Sequence, residues 1–336
     1  MKGIARTTIR DVAELAGVSI ATVSRVLNRS THVADETNAQ VQQAIDQLQY
    51  RPDRTARSLA GRWIGPVVVA IPTFTTPFHS ELLKGMRTAL GTEDPELMIW
   101  DLDWRDPYAA LRRMLARGKV SGLLLVGVRM DKRVMDELRS FHAPVVLIGD
   151  RADDFDSFYW DDVAGARLAV GHLIRRGHRR IGMIRSATDS LMQALRVEGY
   201  RQTLQCAGLE WDPTLVTAGS TPKHAGFSEE AGYEAMKKLL LLPQPTTAVF
   251  ASSDAQAIGA RKAIEDAGMQ SPDDVALVGY DDVKVSRYVG LTSIDQSAQR
   301  VGSQAAHLLI RRMEGSPAGA RVSERVLPRL RVRASS

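Results

Sequence analysis

Cysteine is almost absent from this chain, Cys206 being the one thiol in 336 residues. A lone thiol excludes an intramolecular disulfide framework and a Cys-rich zinc site, so a reducing cytoplasm is the expected compartment and no metal is expected. Long apolar runs are missing as well. None approaches the roughly 20 residues of a membrane span, and the opening Met1–Thr8 stretch has no apolar signal-peptide core. No glycine-rich phosphate loop follows a strand-like run, and there is no nucleophile elbow or recognisable catalytic dyad. An enzyme is therefore not expected, and neither is a cofactor. Charge of one sign is scarce over most of the length: beyond Trp63 the chain carries 35 basic and 33 acidic residues, against nine and six before it. The excess lies at the N-terminal end, where phosphate contacts would use it.

That end begins with "IRDVAELAGVSIATVSRVLN", Ile9 to Asn28. Ile9, Val12, Ala13 and Ala16 share one helical stripe, and Val23, Val26 and Leu27 share another. Between them Gly17 can take the left-handed conformation that ends a helix, and Ser19 can cap the next one. The small Ala13 lets two helices cross steeply, as in a helix-turn-helix. Any packed helical hairpin would satisfy these features, but the outer face of the second helix argues for DNA. Ser19, Ile20, Ala21, Thr22, Ser24, Arg25 and Asn28 are short hydrogen-bonding or small apolar groups, with one arginine able to reach a guanine edge. A solvated helix more often carries Glu, Lys and Gln. A third helix is predicted in "DETNAQVQQAIDQLQY", with Asp35 as N-cap and Val41, Ala44, Ile45 and Leu48 inward. After Pro52, "PDRTARSLAGR" has room for a helix too short to hold alone, ending on the isolated Leu59.

From Ile64 the texture alternates. Short runs such as "VVVAI", "GLLLVG", "VVLIGD", "AVFAS" and "VALVGYDD" are separated by helical stretches including 109–117, 165–176, 229–240 and 254–266. That alternation predicts an α/β core of doubly wound parallel sheets in two lobes, with ligand crevices at the carboxyl ends of strands.

These residues resemble the LacI family of bacterial transcriptional regulators. The likeness rests on "TTIRDVAELAGVSIATVSRVLN", "YRPDRTARSLAG", "HLIRRGHRRIGMI", "LRVEGYRQTL", "FASSDAQAIGA", "VALVGYDD" and "LPRLRVRAS", from about Thr7 to Ser335. The resemblance implies an all-α headpiece over residues 1–51, a hinge helix and linker over 52–63, and an effector-binding and dimerisation core over 64–336 that resembles periplasmic binding proteins. Within the core it implies one lobe at about 64–160 and 293–320 and a second at about 161–292 and 321–333. It further implies a homodimer bound to double-stranded operator DNA and controlled by a small, sugar-like effector, with a repressor as the expected sense.

Residue by residue, the resemblance implies that Ile20 and Ala21 choose bases with Arg25, while Thr8, Ser19, Thr22, Ser24 and Asn28 hold phosphates. Arg57 and Leu59 belong to the hinge, Leu59 wedging the minor groove. In the effector cleft it implies Phe78, Arg151, Arg196, Phe227, Asp254 and Gln296. Taken singly, Asp254 could be only the cap of the helix it opens, and Arg196 only an ion-pair partner. An extracytoplasmic solute-binding protein would share the lobes but not the headpiece, and a nucleotide- or sugar-using enzyme would need motifs that are missing.

Overall fold

The computed structural model describes residues 7–27, 33–50, 66–91, 96–117, 120–188, 190–221, 223–315 and 320–336. The expected sites Asn28, Arg57 and Leu59, and the whole hinge segment, lie outside the described residues. The chain divides into two compact units, Met1–Ile64 and Gly65–Ser336.

The first unit holds three helices, α1 (Ile9–Leu15), α2 (Ile20–Leu27) and α3 (Asp35–Gln47). Gly17 adopts φ +65°, a left-handed conformation that reverses the chain directly after α1. The Ser19 hydroxyl accepts the Thr22 amide at 3.0 Å, so Ser19 caps α2. Val12, Ala13, Val23, Val26, Val41 and Ala44 close the small core. One expectation shifts: Ala34, extended at φ −62° and ψ 144°, occupies the N-cap of α3 without a side-chain bond, and Asp35 is already helical. Asp35 and Glu36 then act on the first turn through charge, beside the positive end of the helix dipole.

The second unit contains two six-stranded sheets. In chain order its strands are β1 (Val67–Ile71), β2 (Leu97–Asp101), β3 (Gly122–Val126), β4 (Val145–Ile148), β5 (Asp156–Trp160), β6 (Ile181–Arg185), β7 (Val216–Ala218), β8 (Ala248–Ala251), β9 (Ala276–Asp281), β10 (Thr292–Asp295), β11 (Ser323–Val326) and β12 (Arg329–Arg331). One sheet runs β11-β5-β4-β3-β1-β2 with every pair parallel. The other runs β12-β10-β9-β8-β6-β7, parallel except that β12 lies antiparallel to β10. Strands buried on both faces read as unbroken apolar runs, which is why "VVVAI" and "GLLLV" announce themselves in the sequence.

Two of the expected lobe boundaries move. Thr292–Asp295 pairs in parallel with β9 and so belongs to the second sheet, whereas Ser323–Val326 pairs with β5 and belongs to the first. The chain thus passes between lobes after Trp160, at 296–297 and at 327–328. The helices expected at 229–240 and 254–266 appear with those bounds, and those at 109–117 and 165–176 begin two and three residues earlier, at Pro107 and Asp162.

Each lobe uses glycine to bring two helices together. In the first, Gly85 of α4 (Pro77–Leu90) lies against the Gln299 carbonyl, and Gly302 of α12 (Ala298–Met313) lies against that of Leu82. In the second, Gly232 of α9 (Glu229–Leu240) faces the Gln256 carbonyl, and Gly259 of α10 (Asp254–Asp266) faces that of Glu229. A Cβ at any of these would collide with backbone that its own helix holds in place. Gly302→Ala should therefore destabilise the core by about 1–3 kcal/mol through overpacking. Urea unfolding of parent and variant checks this, and an unchanged midpoint would show that the helices separate freely.

Candidate functional site

On the headpiece, the α2 face opposite the core presents Ile20, which is 44% exposed, with Ala21 and Arg25 also exposed and Thr22 and Ser24 half-buried. Val23 and Val26 anchor the other face. The Ser19 and Thr22 hydroxyls lie 2.9 Å apart at the N-terminus of this helix, among the amides that favour anions. The Thr8 amide and hydroxyl both donate to Asp11 Oδ2, at 2.7 and 2.9 Å. The Thr8 amide is thus engaged inside α1's first turn, not held open for a phosphate.

In the core, the carboxyl ends of the two sheets enclose a cavity of about 500 Å³. Phe78, Phe227 and Arg196, three of the six expected cleft residues, line it together, and Asp281, Asp150 and Trp104 line it as well. Phe78, in the first turn of α4, packs edge-on against Trp160 with ring centroids 5.4 Å apart. Arg196 reaches in from α8 (Leu191–Cys206) and is only 4% exposed. Its Nε donates to Asp162 Oδ1 at 2.8 Å and its Nη1 to the Ser252 carbonyl at 2.6 Å, while its guanidinium lies 3.7 Å from the Tyr280 ring centre. Burial opposes its charge, but the adjacent Asp162 carboxylate outweighs burial and holds the guanidinium more firmly protonated than usual. Three of its five N–H donors carry no hydrogen bond among the described residues.

Asp281 closes β9 at φ +110° and is followed by Asp282 at φ +51°. Two successive non-glycine residues with positive φ are strained, and such strain gathers where a side chain is held for use. Gln296 Nε2 donates to Asp281 Oδ1 at 2.7 Å, and burial raises the Asp281 carboxyl well above the ordinary range. His79, in the first turn of α4, lines the cavity as a neutral ring, since burial lowers its pKa to about 4.

Three expected cleft residues lie elsewhere. Asp254 is fully buried beneath the cavity wall, where its carboxylate accepts the Val283 amide at 2.9 Å and the Ser286 and Ser293 hydroxyls at 2.6 and 2.5 Å. It ties the 282–286 turn and β10 to α10, whose N-cap is Ser253, and it offers nothing to a ligand. Arg151 is exposed on a shallow depression outside the cavity, donating to the Tyr159 hydroxyl at 3.1 Å. Gln296 is buried behind Asp281 and positions it. The missed carboxylate, Asp281, was within reach of the same reasoning that favoured Asp254: it ends the apolar run "VALVGYD" and so stands at a strand's carboxyl edge.

A helix-turn-helix with an exposed, hydroxyl-rich recognition face, carried in one chain with a two-lobed core around a ligand-sized cavity, defines a ligand-responsive DNA-binding regulator. Comparison with known proteins agrees. A family model described as bacterial regulatory proteins, lacI family, matches residues 8–53, and one for a periplasmic binding protein-like domain matches 170–336. The HTH-type transcriptional repressor PurR of Haemophilus influenzae (strain PittEE) is 32% identical over 336 residues, 98% of each chain. The regulator CelR of Thermobifida fusca is 33% identical, covering 92% of this chain and 93% of its own. Among solved structures, a CelR–cellobiose complex matches at 31% identity and TM-score 0.71 over 98% of this chain and 100% of that one. A lac repressor dimer bound to operator and the anti-inducer ONPF matches at 26% identity and TM-score 0.81, over 98% and 99%. The chain belongs to the LacI family: it is a DNA-binding transcriptional regulator with an effector domain, not an enzyme.

The placement of Asp254 carries a pH dependence. Burial pushes its carboxyl up to about 7 from 3.8, against the pull of its three donors. A folded-state pKa raised above the unfolded one means that this group's contribution is complete below about 4 and is lost as pH rises through about 7. Asp254→Asn removes that loss, so the thermal midpoint of the variant should fall less than the parent's between pH 4 and pH 7. Parallel pH profiles would show that Asp254 ionises at its ordinary pKa.

Proposed function

We propose that the protein is a cytoplasmic, homodimeric repressor whose affinity for operator DNA is set by a small sugar-like effector held between the lobes of its core. The observation that carries this reading is the meeting of Arg196 and Asp281 on one cavity walled by Phe78 and Phe227. A carboxyl group exchanges hydrogen bonds with ligand hydroxyls, a guanidinium donates to ring or hydroxyl oxygens, and aromatic faces cover the apolar side of a ring. The cellobiose of the CelR complex and the ONPF and operator of the lac repressor complex support the same division of labour.

On DNA, Ile20 and Ala21 meet thymine methyls, Arg25 reads a base edge, and Ser19, Thr22 and Ser24 fix phosphates in the major groove. Thr8 joins them only by releasing its bonds to Asp11. Effector control requires that the ligand bind one lobe arrangement better than the other, because only differential affinity shifts such an equilibrium.

Two substitutions test the two halves separately. Arg25→Ala should weaken operator binding by about 1–3 kcal/mol at equal salt and leave random-sequence binding much less affected. Asp281→Asn keeps an acceptor for Gln296 but puts an amide where the carboxyl group met the ligand, which should weaken effector binding by about 0.5–1.5 kcal/mol. Operator titrations and a thermal-shift screen of sugars read the outcomes, the latter because a ligand of the folded state raises the melting temperature. Unchanged operator affinity in the first variant, or an unchanged ligand response in the second, overturns the corresponding assignment.

A further inference from the structure

Cation and anion are unevenly shared along the cavity wall. Its lining arginines are Arg105, Arg129 and Arg196, and its lining carboxylates are Asp150 and Asp281. At the buried end no cation is left over, since Arg196 is bound to Asp162 and burial holds the Asp281 carboxyl, which accepts from Gln296, toward its neutral form. At the mouth they are not. Asp150 spends its two oxygens on the Met130 and Arg151 amides, each at 2.8 Å. The Arg129 guanidinium makes no hydrogen bond or ion pair with the described residues, and it is exposed. Arg105 is 65% exposed, touches a carboxylate only at 3.5 Å, on Asp103, and lies over the Trp104 ring at 4.9 Å.

Topology brings these two cations to one place. Arg105 follows β2 and Arg129 follows β3, and both strands flank β1 in the same sheet. Neighbouring strands lie about 4.8 Å apart, so the two strand ends are separated by roughly 10 Å, a span that two arginine side chains can close on one ligand group. Planar guanidinium forks match carboxylate and phosphate oxygens with paired hydrogen bonds. A neutral sugar would give neither cation a charged partner.

We propose that the effector is an anionic sugar derivative, a hydroxylated ring bearing one carboxylate or phosphate, whose ring meets Arg196 and Asp281 and whose anionic group sits between Arg105 and Arg129. This rests on the reading of the cavity as the effector site.

The test is calorimetric titration of the full chain with matched sets: glucose, glucuronate and glucose 6-phosphate, and the corresponding galactose series. An anionic member should bind at least about tenfold more tightly than its neutral parent, a difference of about 1.4 kcal/mol. Whether the uronate or the phosphate holds that advantage identifies the group. The Arg105→Gln, Arg129→Gln double variant, altered at two exposed positions, should melt like the parent and bind the anionic and neutral members alike. A neutral sugar that binds as tightly as its anionic derivatives, a preference that survives in the double variant, or a failure of every anionic member to bind overturns the proposal. Asp281→Asn separates it from the reading beneath it. If anionic ligands still depend on the two arginines but are indifferent to Asp281→Asn, an anion site exists and the ring lies outside the cavity.

Discussion

The buried contact between Arg196 and Asp162 fixes much of the second lobe. Asp162 opens the helix that follows Trp160, Arg196 lies on the helix of the next βα unit, and the same guanidinium binds the Ser252 carbonyl at the end of β8 and covers Tyr280 of β9. The Tyr280 hydroxyl in turn lies 3.3 Å from Asp162 Oδ1, and Gly165 leaves the room that this ring needs. Two helices and two strands are thereby joined by one charged group at the sheet edge where the cavity begins. Removing one member of such a buried pair strands the other and costs on the order of 3–5 kcal/mol. Arg196 thus holds the lobe together as well as lining the cavity, and loss of effector response on replacing it would not by itself separate fold from ligand binding.

The contrast between Asp254 and Asp281 shows how far the sequence is legible. Both stand where an apolar strand ends, Asp254 fully buried and Asp281 half-buried. What divides them is the path of the 282–286 turn, which folds back so that an amide and a serine hydroxyl surround Asp254, while β10 adds Ser293. That path depends on a parallel pairing between β9 and β10 and on left-handed residues that no local propensity announces. The long apolar strands, the helix-turn-helix and the helices at 229–240 and 254–266 could be read because period and composition agree there. "SERV" and "RLR" could not, because edge strands with polar residues satisfy a partner's backbone and little else.

The lobe crossings tie the cavity to the segments that join the two lobes. Trp160, the last residue before the first crossing, donates its indole N–H to the Gln296 carbonyl at 2.8 Å, and Gln296 lies in the second crossing. The side chain of that same glutamine holds Asp281. A ligand that draws on Asp281 thus acts on a residue bonded to the crossing strands themselves. Across the lobes, Thr75 and His224 meet at 2.9 Å, with His224 and Ala225 both held at positive φ. One hydrogen bond of this kind contributes only about 0.5–1.5 kcal/mol. The described side-chain bonds between the lobes are therefore too few to fix one arrangement outright. The balance is left to whatever fills the cavity, and a ligand that bridges both walls can tilt it by the difference in its contacts between the two arrangements.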